Sequence, residues 1–70
     1  MKIEWVDGFI IKVETDIDNA VVVSANREGL LSLAKQLIAL ANENVGWHIH
    51  YDDHNSLEDG SMEMIIEKRW

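Results

Sequence analysis

The stretch SANREGLLSLAKQLIALANE, residues 24 to 43, is the only part of the chain with helical periodicity, and the rest must organise around it. Leu30, Leu33, Ala34, Leu37, Leu40 and Ala41 recur at intervals of three and four and line one face, with Leu31 and Ile38 widening it. Lys35, Gln36 and Asn42 fall outside that stripe. Asn26 is suited to cap the first turn by accepting its free backbone N–H groups, and Glu28 sits where the helix dipole is positive. Asn44 or Gly46 can supply the left-handed residue that stops the helix. A helix over about residues 27 to 43 would be roughly 25 Å long at ~1.5 Å per residue, enough to lie across four or five strands. Such a stripe could meet a partner, but its first use is as the face turned to the core.

The remaining segments alternate in the manner of strands. KIEWV, then Asp7-Gly8, then FIIKVE reads as a β-hairpin, because Asp and Gly tolerate the positive φ of a type I′ turn. A two-residue loop would pair Val6 with Phe9, Glu4 with Ile11 and Lys2 with Val13. Val6, Phe9, Ile11 and Val13 form the apolar part of that face, and Ile3, Trp5 and Ile10 stand on the other with Lys12 and Glu14. One helix covers only one face, so the surplus face of Ile3, Trp5 and Ile10 is a candidate dimer interface. TDIDN (residues 15–19) is turn chemistry, and Ala20 to Val23 reads as a short, continuously apolar third strand. Val45 to Asp52 and Ser61 to about Arg69 are the fourth and fifth, joined by the irregular DHNSLEDG. The expected fold is α+β, one small domain over residues 1–70. It would hold a single antiparallel sheet of about five strands, in the order β-β-β-α-β-β, with one helix packed on one face.

A chain of 70 residues builds only a small core, burying about 60% of the surface its unfolded form exposes. With neither cysteine nor proline, it has no disulfide framework or Cys-based zinc site to brace it. Association with a second copy is one remedy, and a homodimer is an expectation to test. No apolar run approaches the ~20 residues of a membrane span, and MKIEWVDG lacks the apolar core of a signal peptide. The expected location is the cytoplasm, with no membrane partner. Thirteen acidic residues against six basic ones give a formal charge of −7. That balance argues against nucleic acid, which demands a cationic surface, and favours a basic protein partner. Its plainest effect is solubility.

HIHYDDH (residues 48–54) has the look of a metal site, because strand alternation puts His48, His50, Asp52 and His54 on one face. Zinc wants three or four ligands converging at ~2.0–2.2 Å. Side chains at i and i+2 stand roughly 6.5–7 Å apart on a strand, so four in a line cannot reach one ion. His48 and His50 could converge, and a small metal-binding protein is thus a minor alternative that still wants a carboxylate from elsewhere. Catalysis has less support. No serine lies in a nucleophile elbow, Ser32 and Lys35 match Ser-x-x-Lys spacing only by chance in mid-helix, and nothing would bury a carboxylate to raise its pKa. Without a glycine-rich phosphate loop either, the chain reads as a binding protein with no cofactor rather than an enzyme.

The loop DDHNSLEDG gathers Asp52, Asp53, Glu58 and Asp59 around a lone Leu57. It reads as a solvated turn, with Leu57 tucked onto the core and Gly60 bending the chain into the last strand, or as an acidic recognition edge flanked by His48 and His50. At these residues the chain resembles a family of small bacterial immunity proteins of polymorphic toxin systems, family thirty-two. The resemblance lies in Asn26, Glu28, Gly29 and Leu30 at the helix opening, then His48, His50 and Asp52, then Leu57, Glu58, Gly60 and Ser61, and Ile65, Ile66, Glu67 and Lys68 near the end. It covers about two-thirds of the chain and is most specific between His48 and Ser61. It implies an antitoxin that binds and blocks a cognate toxin domain in the producing cell. Asp52, Asp53, Glu58 and Asp59 would supply charge to a basic partner such as a nuclease, with His48, His50 and Tyr51 beside them and Trp47 or Trp5 as aromatic anchors. The alternative is a self-associating structural domain.

Overall fold

Asn26 organises the first half of the chain. Its side-chain Oδ1 accepts from the Gly29 N–H at 2.8 Å, capping the helix, and from the Ile10 N–H at 3.0 Å. Its Nδ2 donates to the Gly8 carbonyl at 2.9 Å, and its own N–H donates to the Ile10 carbonyl at 3.1 Å. One side chain thus starts the helix and pins the Asp7-Gly8 turn beside it. In the computed structural model, which describes residues 1–70, the elements are β1 (Ile11–Thr15), β2 (Val21–Ala25), α1 (Arg27–Ala41), β3 (His48–Tyr51) and β4 (Met64–Glu67). No helix is long and apolar enough to cross a membrane.

The fold is α+β with one helix, but the expected single five-stranded sheet is not there. The strands form two separate antiparallel ladders, β1 with β2 and β3 with β4. The N-terminal hairpin is the main loss. Asp7-Gly8 does turn, with the Phe9 N–H donating to the Val6 carbonyl at 3.1 Å, yet only Gly8 has positive φ (85°) and Asp7 does not. A type I′ turn needs both, and turns of the unprimed kind splay the flanking strands instead of pairing them. Residues 1–6 lie along α1 instead. The Val6 N–H donates to Ser32 Oγ at 2.8 Å, and Gln36 Nε2 donates to the Glu4 carbonyl at 2.7 Å.

The next turn is as the sequence promised. Asp16 Oδ1 accepts from the N–H groups of Asp18 and Ala20, while Asn19 takes φ 62°. β2 follows it, and β1 is paired on its second edge too. There the Glu58 N–H donates to the Ile11 carbonyl (2.9 Å), the Met62 N–H donates to the Val13 carbonyl (2.8 Å), and the Val13 N–H donates to Ser61 Oγ (3.2 Å). The segment leading into β4 therefore links the two ladders.

The core is Ile11, Val13, Leu40, Ile49, Tyr51 and Leu57. The helix reaches it with a face rotated away from the centre of the expected stripe and sharing with it only Leu40 and the half-buried Leu33. Its buried residues are Gly29, Ser32, Gln36 and Leu40, whereas Leu30, Leu37 and Ile38, expected to face the core, are 56%, 44% and 66% exposed. Gly29 is the physical reason. It packs the helix backbone directly against Ile10 and Ala25, and that fixes which side turns inward. The C-terminus is closed by a cation from afar, since Lys68 Nζ donates to the carbonyls of Ala41 (2.8 Å) and Glu43 (2.7 Å).

Candidate functional site

On β3 the alternation is realised with its direction resolved: Ile49 and Tyr51 are buried, and His48 and His50 are exposed. Tyr51 is fully enclosed, with its O–H donating to Gln36 Oε1 at 2.7 Å and its ring edge-on to Trp5 at 6.2 Å. It is therefore a core residue and offers a partner no surface. Trp47, one residue before the strand, is 42% exposed and shares an open depression of about 500 Å³ with Asn44, Val45, Gly46 and His48.

The acidic loop after β3 is held from both ends. Asp52 Oδ1 accepts from the N–H groups of His54 (2.9 Å) and Asn55 (3.0 Å), and the Asp52 carbonyl accepts from Ser56 and Leu57. Leu57 is buried, as expected, and Gly60 turns the chain with φ +84°. Asp52 is thus spent on the loop itself. Asp53 is half-buried, 3.6 Å from His54 Nε2, while Glu58 and Asp59 are exposed. The result is an ordered turn that carries three acids outward at the C-terminal end of β3, whereas the Trp47 depression lies at the strand's other end.

His48 and His50 meet edge to face at 5.0 Å between ring centroids, and the ladder sets Glu67 opposite His48 but Ile65 opposite His50. No three His or acidic side chains are placed to hold one metal ion. His54 sits in the loop, away from that pair's strand. The other candidate patch is divided: Trp5 stacks on Phe9 at 4.4 Å against the core, whereas Ile3 and Ile10 are 42% and 51% exposed.

Against this geometry stands one comparison with known proteins that succeeds. The family model described as Immunity protein 32 matches residues 20–69. The chain belongs to the Immunity protein 32 family. No curated protein and no solved structure matches it. The family match runs from the residue before β2 through β4 and takes in the helix, β3 and the whole acidic loop. It leaves out the N-terminal segment that Ser32 and Gln36 hold in place. As an Immunity protein 32, the chain has the general role of an immunity protein, which works on a protein toxin.

Ser32 and Gln36 are the residues that periodicity passed over. Their signal was present as Gly29, Ser32 and Gln36 at i, i+3 and i+7, a small and polar stripe running beside Leu33 and Leu40. Burial pushes the Tyr51 phenol above its ordinary value near 10. The folded form therefore favours neutral tyrosine, so this contribution to stability is complete below about pH 10 and is lost as pH rises through the folded-state titration. Tyr51 is the only tyrosine. Its tyrosinate absorbance should appear in alkali only as the fold melts, and an ordinary titration with the fold intact would contradict its enclosure.

Proposed function

We propose that this immunity protein binds a cationic toxin domain through the edge formed by Asp53, Glu58 and Asp59, with His50, His48 and Trp47 following back along β3, and blocks the toxin by covering it. The observation that supports the reading most is the ordered acidic turn on a chain of net charge −7. Acids mounted on a fixed loop meet a basic cleft without first losing loop entropy, and opposite charge speeds the encounter. A nuclease, whose own substrate is a polyanion, is the type of toxin such an edge would suit. The action is binding alone, in the cytoplasm of the producing cell, and no residue of the chain is asked to do chemistry.

The test separates charge from fold. Asp53→Asn, Glu58→Gln and Asp59→Asn together remove three charges while sparing Asp52, whose carboxylate holds the loop. Association with the cognate toxin, recovered by pull-down from the native host, should slow by about tenfold or more at low salt. Its dependence on salt between about 0.05 and 0.5 M should flatten. Unchanged rate and salt slope would place the binding surface elsewhere.

A further inference from the structure

β2 has one bare edge. The register pairs Ile11 with Ala25 and Val13 with Val23, and the hydrogen-bonded positions are fixed by their neighbours, since the Asn26 N–H donates to Ile10 and the Asp16 N–H to Ala20. Backbone bonds in an antiparallel ladder fall on every second pair. Lys12 with Ser24 and Glu14 with Val22 are therefore the bonded pairs, and the N–H and C=O groups of Val21, Val23 and Ala25 point away from β1. No backbone bond is made to them. Proteins blunt such edges with lysine, proline or a bulge. Here the eight residues from Asn19 to Asn26 hold no charged side chain and no proline, and Val21 and Val23 are 61% and 40% exposed.

We propose that this edge pairs with the same edge of a second copy, antiparallel about a two-fold axis at Val23. The bare groups are self-complementary: Val23 would face Val23 of the partner, Val21 would face the partner's Ala25, and the reverse pair follows by symmetry. Three N–H and three C=O groups on each copy then form six bonds and join the two β1–β2 ladders into one four-stranded sheet. The edge carries no acid, so a second copy meets no like charge across it, and it offers a cationic toxin no carboxylate to pair with; the self-matching pattern of bare groups decides for the second copy.

Surface area agrees. The chain exposes 4942 Å², against about 4,450 Å² for a compact monomer of its mass. Its radius of gyration is 12.3 Å, against about 11 Å for 70 compact residues. If each copy hides its excess of about 500 Å², the total of about 1,000 Å² reaches the lower bound for a specific interface. This dimer leaves the acidic edge untouched and does not rest on the toxin-binding reading.

Sedimentation equilibrium of the intact chain should find a species of twice the 8.0 kDa chain mass. Hydrogen exchange should show the amides of Val21, Val23 and Ala25 gaining protection as concentration rises, while those of Val22 and Ser24, bonded to β1, are protected throughout. Val23→Lys puts two cations face to face on the axis and should weaken the dimer by about tenfold or more. Val21→Lys is the second variant should the first fail to fold. A monomer at several hundred micromolar would overturn the proposal. So would a dimer whose Val21, Val23 and Ala25 amides exchange as freely as in the monomer, the result expected if copies met through the outward leucines of α1.

Discussion

Gly29→Ala should destabilise the protein by about 2–4 kcal/mol, although the same exchange on an exposed helix would add about 1 kcal/mol through helix propensity. The reversal follows from position. A Cβ at residue 29 would lie 2.6 Å from the Ile10 carbonyl oxygen, 2.9 Å from Ile11 Cγ1 and 3.0 Å from Ala25 Cβ. The nearest of these is backbone, and it cannot retreat freely, because the Ile10 carbonyl accepts from Asn26 N–H, the residue that caps the helix. To admit a methyl group the helix must lift from β1 and β2 and loosen its own cap. For a domain of this length, with about 4–10 kcal/mol in total, that is a large share, and Gly29→Val should prevent folding. Urea denaturation checks it through the midpoint at constant slope. A Gly29→Ala protein as stable as its parent would mean that the close approach of α1 to Ile10 does not exist.

Local features of the fold were legible because short-range chemistry decides them. Asn26 as a cap, Asp16 as a turn residue, Leu57 as an anchor and Gly60 as a bend each depend on a few neighbouring atoms. Alternation on β3 sets Ile49 and Tyr51 opposite the histidines, yet Tyr51, expected at the partner-binding edge, is enclosed in the core. What could not be read was which competing partner a segment would choose. Residues 2–6 have the pattern of a hairpin strand, yet two polar side chains on α1 take the Val6 N–H and the Glu4 carbonyl. The helix face was misjudged for a related reason. Apolar periodicity ranks faces by hydrophobicity, whereas this face is selected by the fit of Gly29 and by the hydrogen bonds that Ser32 accepts from Val6 and Gln36 donates to Glu4. At the candidate edge, residue types placed the acids in one loop but could not tell a carboxylate that builds it, Asp52, from those left outside its hydrogen bonds.

Gln36→Leu should cost about 2–3 kcal/mol and lower the melting temperature by roughly 10–20 °C, though leucine matches the apolar character of the neighbouring positions. Gln36 is 1% exposed, and both ends of its amide are used. Nε2 donates to the Glu4 carbonyl, which ties down the N-terminal segment, and Oε1 accepts from the Tyr51 O–H in the core. Leucine strands the buried hydroxyl outright, at about 1–3 kcal/mol, while the Glu4 carbonyl, on an exposed residue, can turn to water at smaller cost. Tyr51→Phe removes the donor and leaves Oε1 unpaired, for about 1–2 kcal/mol. The double variant removes both partners of that bond, so its loss should fall short of the sum of the single losses by about 1 kcal/mol. Thermal melts of the four proteins give the cycle. Additive losses would mean that the helix and β3 are joined by packing alone, and a Gln36→Leu protein more stable than its parent would mean that residues 1–6 do not need this side chain. A shortfall near 1 kcal/mol identifies the Gln36–Tyr51 hydrogen bond as the polar pin between the helix and β3.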